Sequence, residues 1–205
     1  MANPSPMVPE RLQKFIDRFA RFPAVGPRLA TRLAFYLAHL DAPALAEVVD
    51  AVSGLATLDR CPRCSFPKAR TADRCAVCTD AARDRGTIAL VERETDLISI
   101  ERTRQFRGTY FLVGELPERG TLTPELRARL DGLKKLIDTE LGGRATELVV
   151  AVGLNALGDL FASVVAQELK GRAEKITRIG RGIPTGGEIE FADEETLGSA
   201  LKRRS

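Results

Sequence analysis

All four cysteines of the chain lie in one short segment, where they form two closely spaced pairs. Cys61 and Cys64 make one C-x2-C pair, and Cys75 and Cys78 make a second pair after ten intervening residues. Each pair predicts a tight turn whose two thiolates share one metal ion, and two such turns supply the four ligands of a closed tetrahedral site. The pattern therefore predicts one structural Zn²⁺ ion, with no open ligand position for catalysis.

Two disulfide bonds or a redox motif would use the same cysteines differently. Disulfides need an oxidising compartment, and residues 1–9 lack the basic start and apolar stretch of an export signal. A thioredoxin-like motif needs only one pair, beside a βαβ unit. No apolar run approaches the length of a membrane-spanning helix. We therefore favour zinc as the use of the four cysteines. We expect a cytoplasmic protein without membrane contact, and we expect residues 1–9 to form a flexible arm.

Basic residues are concentrated in the first part of the chain, beside a predicted helical hairpin. Residues 10–36 hold six Lys and Arg against two acids, and residues 60–86 hold seven against three. An amphipathic helix over residues 10–21 is predicted by apolar residues at helical spacing, Leu12, Phe15, Ile16 and Phe19. Gly26 helps to break that helix, and Pro27 suits the first turn of the next one.

The turn between these helices matches the helix-hairpin-helix pattern, which binds DNA without reading its sequence. Gly26 lets the backbone approach a phosphate closely, and the following helix presents free N–H groups to it. Arg28 and Arg32 are four residues apart and share one face of that helix. We predict that Gly26, Arg28, Arg32 and Arg21 contact the sugar–phosphate backbone, with a steep salt dependence. An ordinary helical hairpin with exposed arginines would give the same pattern.

Positioning these sites requires several kinds of structural element. Residues 10–56 are predicted to form a compact helical unit, and residues 57–80 a small zinc finger. Strands alternate with helices over residues 86–180, which is typical of a parallel sheet covered on both faces. Residues 181–205 form a C-terminal segment, whose glycine-rich start predicts a turn leading to an edge strand. The predicted fold class is α+β in several parts, with an α/β domain after the finger.

In this order, the hairpin, the cysteine quartet and the α/β portion resemble the RecR family over residues 12–201. The most specific stretches are Gly26-Pro27-Arg28, Arg32-Leu33-Ala34-Phe35, the cysteine quartet, Val91-Glu92 with Thr95-Asp96-Leu97, and Gly182-Ile183-Pro184-Thr185-Gly186-Gly187-Glu188. The resemblance implies a DNA-binding helix-hairpin-helix, a zinc finger, a Toprim domain over residues 86–180, and subunit contacts through residues 181–205. It also implies a tetrameric ring of identical subunits that acts with RecO and RecF. Such proteins help recombinase load on gapped or single-stranded DNA during RecBC-independent recombinational repair.

The acids of the α/β portion bear on both catalysis and partner binding. A catalytic Toprim site needs clustered carboxylates that hold Mg²⁺. The resemblance places Glu92, Asp96 and Asp159 on the acidic surface that binds RecO in the family. Leu157 stands where the family usually has a second acid, and Arg93 stands where an acid commonly follows Glu92. These departures weaken a Mg²⁺ site and make the RecO surface the least secure expectation.

We expect a non-catalytic DNA-binding mediator, and two other functions compete with it. One is a Mg²⁺-dependent Toprim nuclease that uses Glu92 and Asp159, whose DNA cleavage Glu92→Gln would abolish. The other is a partner-binding scaffold without DNA binding, for which Arg28→Glu with Arg32→Glu would change no affinity. The missing second acid argues against the nuclease, and the basic hairpin argues against the scaffold.

Overall fold

The structure, a computed structural model, describes residues 7–117, 122–180, 182–183 and 186–202 of the chain. The backbone divides into two compact units, Met1–Leu58 and Asp59–Ser205. The first unit is helical, and the second combines the cysteine segment with an α/β sheet. None of the described helices is both long enough and apolar enough to cross a bilayer.

The first unit consists of three helices: α1 (Glu10–Phe19), α2 (Pro27–Ala38) and α3 (Ala42–Gly54). The apolar stripe of α1 packs against α2, so that Ile16, Ala30 and Ala34 are buried between the two helices. Asp41 caps α3, because its Oδ1 accepts the N–H of Ala44 at 2.9 Å. No residue of α3 is fully buried.

The second unit is built on a parallel four-stranded sheet with strand order β4-β3-β5-β6. Its strands are β3 (Asp84–Val91), β4 (Gly108–Leu112), β5 (Ala145–Ala151) and β6 (Ala173–Arg178). The register sets Leu90 beside Phe111 on one side and beside Val150 on the other. All four strands therefore begin along one edge of the sheet, formed by their amino ends, and finish along the opposite edge, formed by their carboxyl ends.

Helices and the cysteine segment cover the two faces of this sheet. The connecting helices are α5 (Glu94–Arg102), α6 (Pro124–Glu140) and α7 (Ala156–Glu168). Ile88 and Leu90 share a core with α6 and α7, while Ala89 and Val91 pack with Leu97 of α5 and with Phe66. The alternation along β3 therefore buries both faces, which confirms the predicted sheet.

Side-chain caps and one close backbone approach fix the connecting helices. Thr123 Oγ1 accepts the N–H of Leu126 at 3.3 Å, and Asn155 Oδ1 accepts the N–H of Gly158 at 2.9 Å. A Cβ on Gly158 would lie 1.8 Å from the carbonyl oxygen of Gly153. Only glycine allows α7 to start this close to the loop after β5.

The cysteine segment is a small finger attached to the edge strand β4. It contains the short strands β1 (Leu58–Arg60) and β2 (Pro67–Ala69), which pair with each other, and the one-turn helix α4 (Ala76–Thr79). The N–H of Leu112 donates to the carbonyl of Cys64 at 3.0 Å. The finger therefore occupies backbone groups that β4 would otherwise leave unpaired.

The C-terminal segment does not form the predicted edge strand, so that prediction is wrong. Within the described residues, Ile189–Phe191 is a short 3-10 turn, and α8 spans Glu194–Lys202. Asp193 starts α8, because its Oδ1 accepts the N–H of Thr196 at 2.9 Å. Ile189 is 68% exposed and Phe191 is 80% exposed.

Candidate metal centre and nucleic-acid interface

The four cysteine sulfurs converge to a single point in the finger. Their Sγ atoms all lie within 4.8 Å of one another, and each residue is at most 3% exposed. All four are free thiols with no disulfide between them. A tetrahedral site with metal–sulfur distances of about 2.3 Å needs sulfurs roughly 3.8 Å apart, and Cys64 Sγ lies 3.4 Å from Cys75 Sγ. The quartet could therefore bind one metal ion with little rearrangement.

Backbone geometry holds the sulfurs in place. The N–H of Ser65 donates to the carbonyl of Cys61 at 2.8 Å, and Ser65 takes a left-handed conformation with φ +67°. The turn lets the N–H of Phe66 point at Cys64 Sγ at 3.4 Å. In the second C-x2-C pair, the N–H of Cys75 points at Cys61 Sγ at 3.5 Å. Such N–H groups favour thiolates over thiols, and thiolates are what a metal requires.

A buried arginine stands behind the sulfurs. Arg63 lies between Cys61 and Cys64 in the sequence, and its side chain is only 2% exposed. Its Nε donates to Glu140 Oε2 at 2.8 Å, while Arg74 donates to the other oxygen of the same carboxylate at 2.8 Å. This pair of contacts links the finger to the C-terminal end of α6.

Two nitrogen atoms of the Arg63 side chain are not bonded to Glu140 and can act on the metal centre. Nη1 and Nη2 are buried, and within the described chain neither has a hydrogen-bond partner. A buried donor without an acceptor costs about 1–3 kcal/mol. The Cys78 sulfur interacts with this guanidinium and helps to raise the pKa of Arg63 against the lowering effect of burial. A metal-bound thiolate is a permanent anion and would give these donors the acceptor they lack.

The thiols themselves are electrostatically unequal. A hydrogen bond from Cys64, together with the charge of Arg63, lowers the pKa of Cys78 to about 5 in spite of burial. Burial raises the pKa of Cys75 to about 11. Four thiolates around a divalent ion carry a net charge of −2, so one buried guanidinium offsets half of it. The residues present therefore fit a four-thiolate metal ion of the zinc type.

The predicted DNA-contacting residues lie at the start of α2 and are exposed. Gly26 is the N-cap of α2, and Arg28 and Arg32 project from its first two turns. Arg21, which follows α1, is also exposed. None of these three arginines makes an ion pair within the described chain. The structure thus brings the four residues to one end of the hairpin, as the sequence predicts.

The first turn of α2 has unsatisfied backbone donors. Pro27 has no N–H, and no side chain caps the helix. The first amide with a described acceptor is that of Ala30, which donates to Gly26 at 3.0 Å. The amides of Arg28 and Leu29 therefore point outward at the positive end of a twelve-residue helix, which is the arrangement that binds phosphate.

The acids of the α/β domain are only partly brought together. Glu92 and Asp96 line a cleft of about 520 Å³ beyond the carboxyl ends of β3 and β5, and Asp159 is not part of its lining. Asp96 accepts the backbone N–H of Arg93 at 2.9 Å, so it also caps α5. Glu92 lies 3.6 Å from the guanidinium of Arg93, and Asp159 is bonded to Arg178. Within the described residues, the cysteine quartet is the only convergent group of three or more His, Cys, Asp or Glu.

Comparison with known proteins gives consistent relatives over almost the whole chain. A recombination protein RecR from Thermus thermophilus is 38% identical, over 96% of this chain and 97% of its own length. Another from Thermobifida fusca is 36% identical, over 94% and 95%. One from Streptomyces coelicolor is 35% identical, over the same shares. The chain belongs to the RecR family. The family model described as RecR, C-terminal, matches residues 182–205.

Two residues of this RecR chain, Leu157 and Arg63, differ in how far the sequence indicated their role. Leu157 is partly buried and packs against the main core, which suits an apolar side chain at this position. Arg63 and its partner Glu140 are functional candidates that sequence reasoning missed. An arginine inside a C-x2-C pair is a signal that could have been used. Glu140 gives no such signal, because 77 residues separate it from Arg63.

Proposed function

We propose that this chain is a non-catalytic, cytoplasmic mediator of recombinational DNA repair that binds DNA through its helix-hairpin-helix. The observation that carries this proposal is the start of α2, where two uncapped amides and the exposed side chains of Arg28 and Arg32 face outward together. This arrangement suits the phosphates of DNA and carries no means of reading bases. Membership of a family of recombination proteins supports the repair role.

Gly26 supports the same proposal, because nothing inside the chain requires a glycine there. Its φ of −77° is accessible to any residue, and a Cβ at this position would meet nothing within 4 Å. A bare backbone at an open position is useful when something outside the chain approaches it closely. A DNA phosphate bonded to the amides of Arg28 and Leu29 would do so.

The cysteine quartet is proposed to hold one structural Zn²⁺ ion. Four thiolates fill the coordination shell, and no ligand position remains for a substrate. The ion would supply folding energy, because the buried thiols have no other reason to converge. Its role is to keep the finger closed against the edge of the sheet.

Absence of catalysis is proposed because the candidate acids are already engaged. Asp159 is bonded to Arg178, and Asp96 caps α5. Glu92 and Glu115 then remain as candidate ligands in the cleft, and the guanidinium of Arg93 lies beside Glu92. A Mg²⁺ ion that activates water needs several convergent oxygens. The nuclease alternative is therefore not favoured.

We further propose that the cleft containing Glu92 and Asp96 lies on the surface that meets RecO, with RecF as an additional partner and Asp159 as a peripheral contact. The role of such a complex is to help recombinase load on gapped or single-stranded DNA. The tetrameric ring, with residues 181–205 in subunit contacts, is part of the same proposal. Apolar residues of the C-terminal segment, Ile189 and Phe191, are exposed and suit such a contact.

DNA binding as a function of salt tests the proposal. Fluorescence anisotropy would follow labelled gapped and single-stranded DNA with the wild type, with Arg28→Glu/Arg32→Glu and with Gly26→Ala, in the presence of Mg²⁺. On single strands, we expect the logarithm of the wild-type affinity to fall by about 0.7 per phosphate contact for each tenfold increase in salt concentration. The double variant should lose most of the binding, and Gly26→Ala should weaken it without changing the melting temperature.

The matched control is Arg127→Glu/Lys135→Glu on α6, which has the same charge change at exposed positions without described ion pairs. It should bind like the wild type. Equal losses in both double variants would mean that overall charge, and not the hairpin, decides binding. DNA cleavage that Glu92→Gln abolishes would establish the nuclease instead, and a wild type that binds no DNA at low salt would favour the scaffold.

A further inference from the structure

The parallel sheet gathers basic residues at the edge where its strands begin. We call this set the amino edge: Arg85, Arg102, Arg104, Arg107, Arg144 and Lys170. Arg107 directly precedes β4, Arg85 lies at the start of β3, and Arg144 directly precedes β5. All six side chains belong to exposed residues, and none makes an ion pair within the described chain.

Acids near the amino edge do not cancel this charge. Most of them are already bonded within the chain, Glu101 to Arg83, Asp138 to Arg172, and Glu140 to Arg63 and Arg74. Asp84 is held in its charged form by the Thr87 hydroxyl and the Gly86 amide, so it offsets one of the cations. The exposed Glu174 at the start of β6 offsets one more. The edge therefore keeps a clear positive excess.

Helix ends account for only part of these cations. The helices α5, α6 and α7 all finish at this edge, and each helix end carries about half a negative charge. One or two cations would be enough to balance three such ends. The six residues of the amino edge exceed that need.

Arg104 adds a separate indication that charge is favoured here. It follows α5 in the left-handed region with φ +57°, a conformation that glycine adopts without strain. The other two helices that end at this edge use glycine, with φ +64° at Gly142 and +80° at Gly171. An L-residue in this region is sterically disfavoured, so the arginine is accommodated here at a structural cost.

We propose that the amino edge is a second DNA-binding surface, which contacts the sugar–phosphate backbone. The four strand starts span about 14 Å at roughly 4.8 Å between neighbouring strands, which equals about four steps of the roughly 3.4 Å axial charge spacing along one strand of B-DNA. Among the described residues the edge exposes no large apolar side chain. Protein partners are normally anchored by such side chains, so a phosphate backbone fits better than an acidic protein surface.

This inference rests on the proposed function, and one experiment separates the two. The full chain would be titrated against labelled oligo-dT over a range of KCl concentrations. The edge variant is Arg85→Glu/Arg107→Glu/Arg144→Glu. Its control is Lys68→Glu/Arg127→Glu/Lys135→Glu, which carries the same charge change on β2 and α6. The hairpin variant Arg28→Glu/Arg32→Glu is measured in parallel, and melting curves establish that each protein is folded.

We expect the edge variant to bind roughly tenfold to a hundredfold more weakly than its control, with a salt slope smaller by about 2 for three lost phosphate contacts. An edge variant with the affinity and slope of the control would overturn the inference, while loss of binding in the hairpin variant would leave the proposed function intact. A wild type that does not bind would overturn both. If the Glu triple variant does not fold, Arg→Gln at the same positions should still reduce the slope.

Discussion

The guanidinium of Arg63 is buried and bonded to Glu140. One donor is fixed on Glu140, and the two remaining nitrogens are buried beside the sulfurs without a partner in the described chain. Partners of metal ligands typically change metal affinity by 10–100-fold when they are removed. Arg63 is therefore a positioning residue whose positive charge offsets that of the thiolates and whose bond to Glu140 ties the finger to α6.

Replacing this residue should weaken metal binding more than it disturbs the fold. We expect Arg63→Met to lower zinc affinity by about 10–100-fold, measured by competition with a chromophoric chelator. The charge-transfer bands of the Co²⁺-substituted protein should also shift. Arg74→Met is the matched control, because Arg74 shares Glu140 at 2.8 Å but is not paired with a sulfur. Equal zinc affinities in the two variants would show that Arg63 only packs the finger.

Among the structural elements, the junction of α5 and β4 depends on a partly buried ion pair. Glu101 accepts from Arg83 at 2.9 Å and from the hydroxyl of the fully buried Tyr110 at 2.5 Å. Arg83 also donates to the carbonyl of Gly108 at 2.9 Å. Burial raises the pKa of Glu101, but the bonds from Arg83 and Tyr110 outweigh it, so the pKa lies below its usual value. Burial and the bond to Glu101 raise the pKa of Tyr110.

This network makes a pH-dependent contribution to stability. Because the folded pKa of Glu101 is depressed, its contribution is complete above the ordinary value of 4.5 and is lost as the pH falls through the lower, folded value. We expect Glu101→Gln to reduce the free energy of unfolding by about 1–3 kcal/mol near pH 7. The difference from the wild type should shrink below about pH 4.5. Urea denaturation across pH measures it, with the exposed Glu174→Gln as control. If the difference in the free energy of unfolding does not vary with pH, the charged pair is not its source.

Elements with a clear local sequence pattern could be predicted from the sequence. Contacts between residues that lie far apart in the chain could not. The cysteine quartet lies within one short segment, so its spacing alone predicts a common ligand. The strands and helices of the sheet follow from residues with regular periodicity. The edge strand predicted after residue 187 does not form in the described residues, because a glycine-rich turn does not show whether a neighbouring strand is available for pairing. Asp193 with Thr196 was the overlooked helix signal.

On the scale of the whole molecule, the finger and the sheet belong to one unit, while the hairpin belongs to another. The finger is joined to the sheet by the bond from Leu112 to Cys64 and to α6 by the bonds from Arg63 and Arg74 to Glu140. Arg129 of α6 also reaches the Ser65 hydroxyl at 2.5 Å. Each of these contacts depends on the shape of the finger, which a metal ion bound by the four cysteines would maintain.

Removing the metal should therefore loosen the second unit and leave the hairpin unchanged. After chelation of the full chain, we expect faster amide hydrogen exchange in the finger, in β4 and along α6, because these elements hold its contacts. Exchange in α2 should stay as before, because its buried partners Ile16, Ala30 and Ala34 lie within the first unit. Exchange mass spectrometry of the full chain with and without zinc measures this, and re-added zinc should reverse it. Faster exchange in α2 of equal size would mean that the metal stabilises the chain as one cooperative body, and unchanged exchange in α6 would mean that the finger contacts contribute little. The predicted outcome, limited to one unit, would leave the hairpin of α1 and α2 folded when zinc is lost.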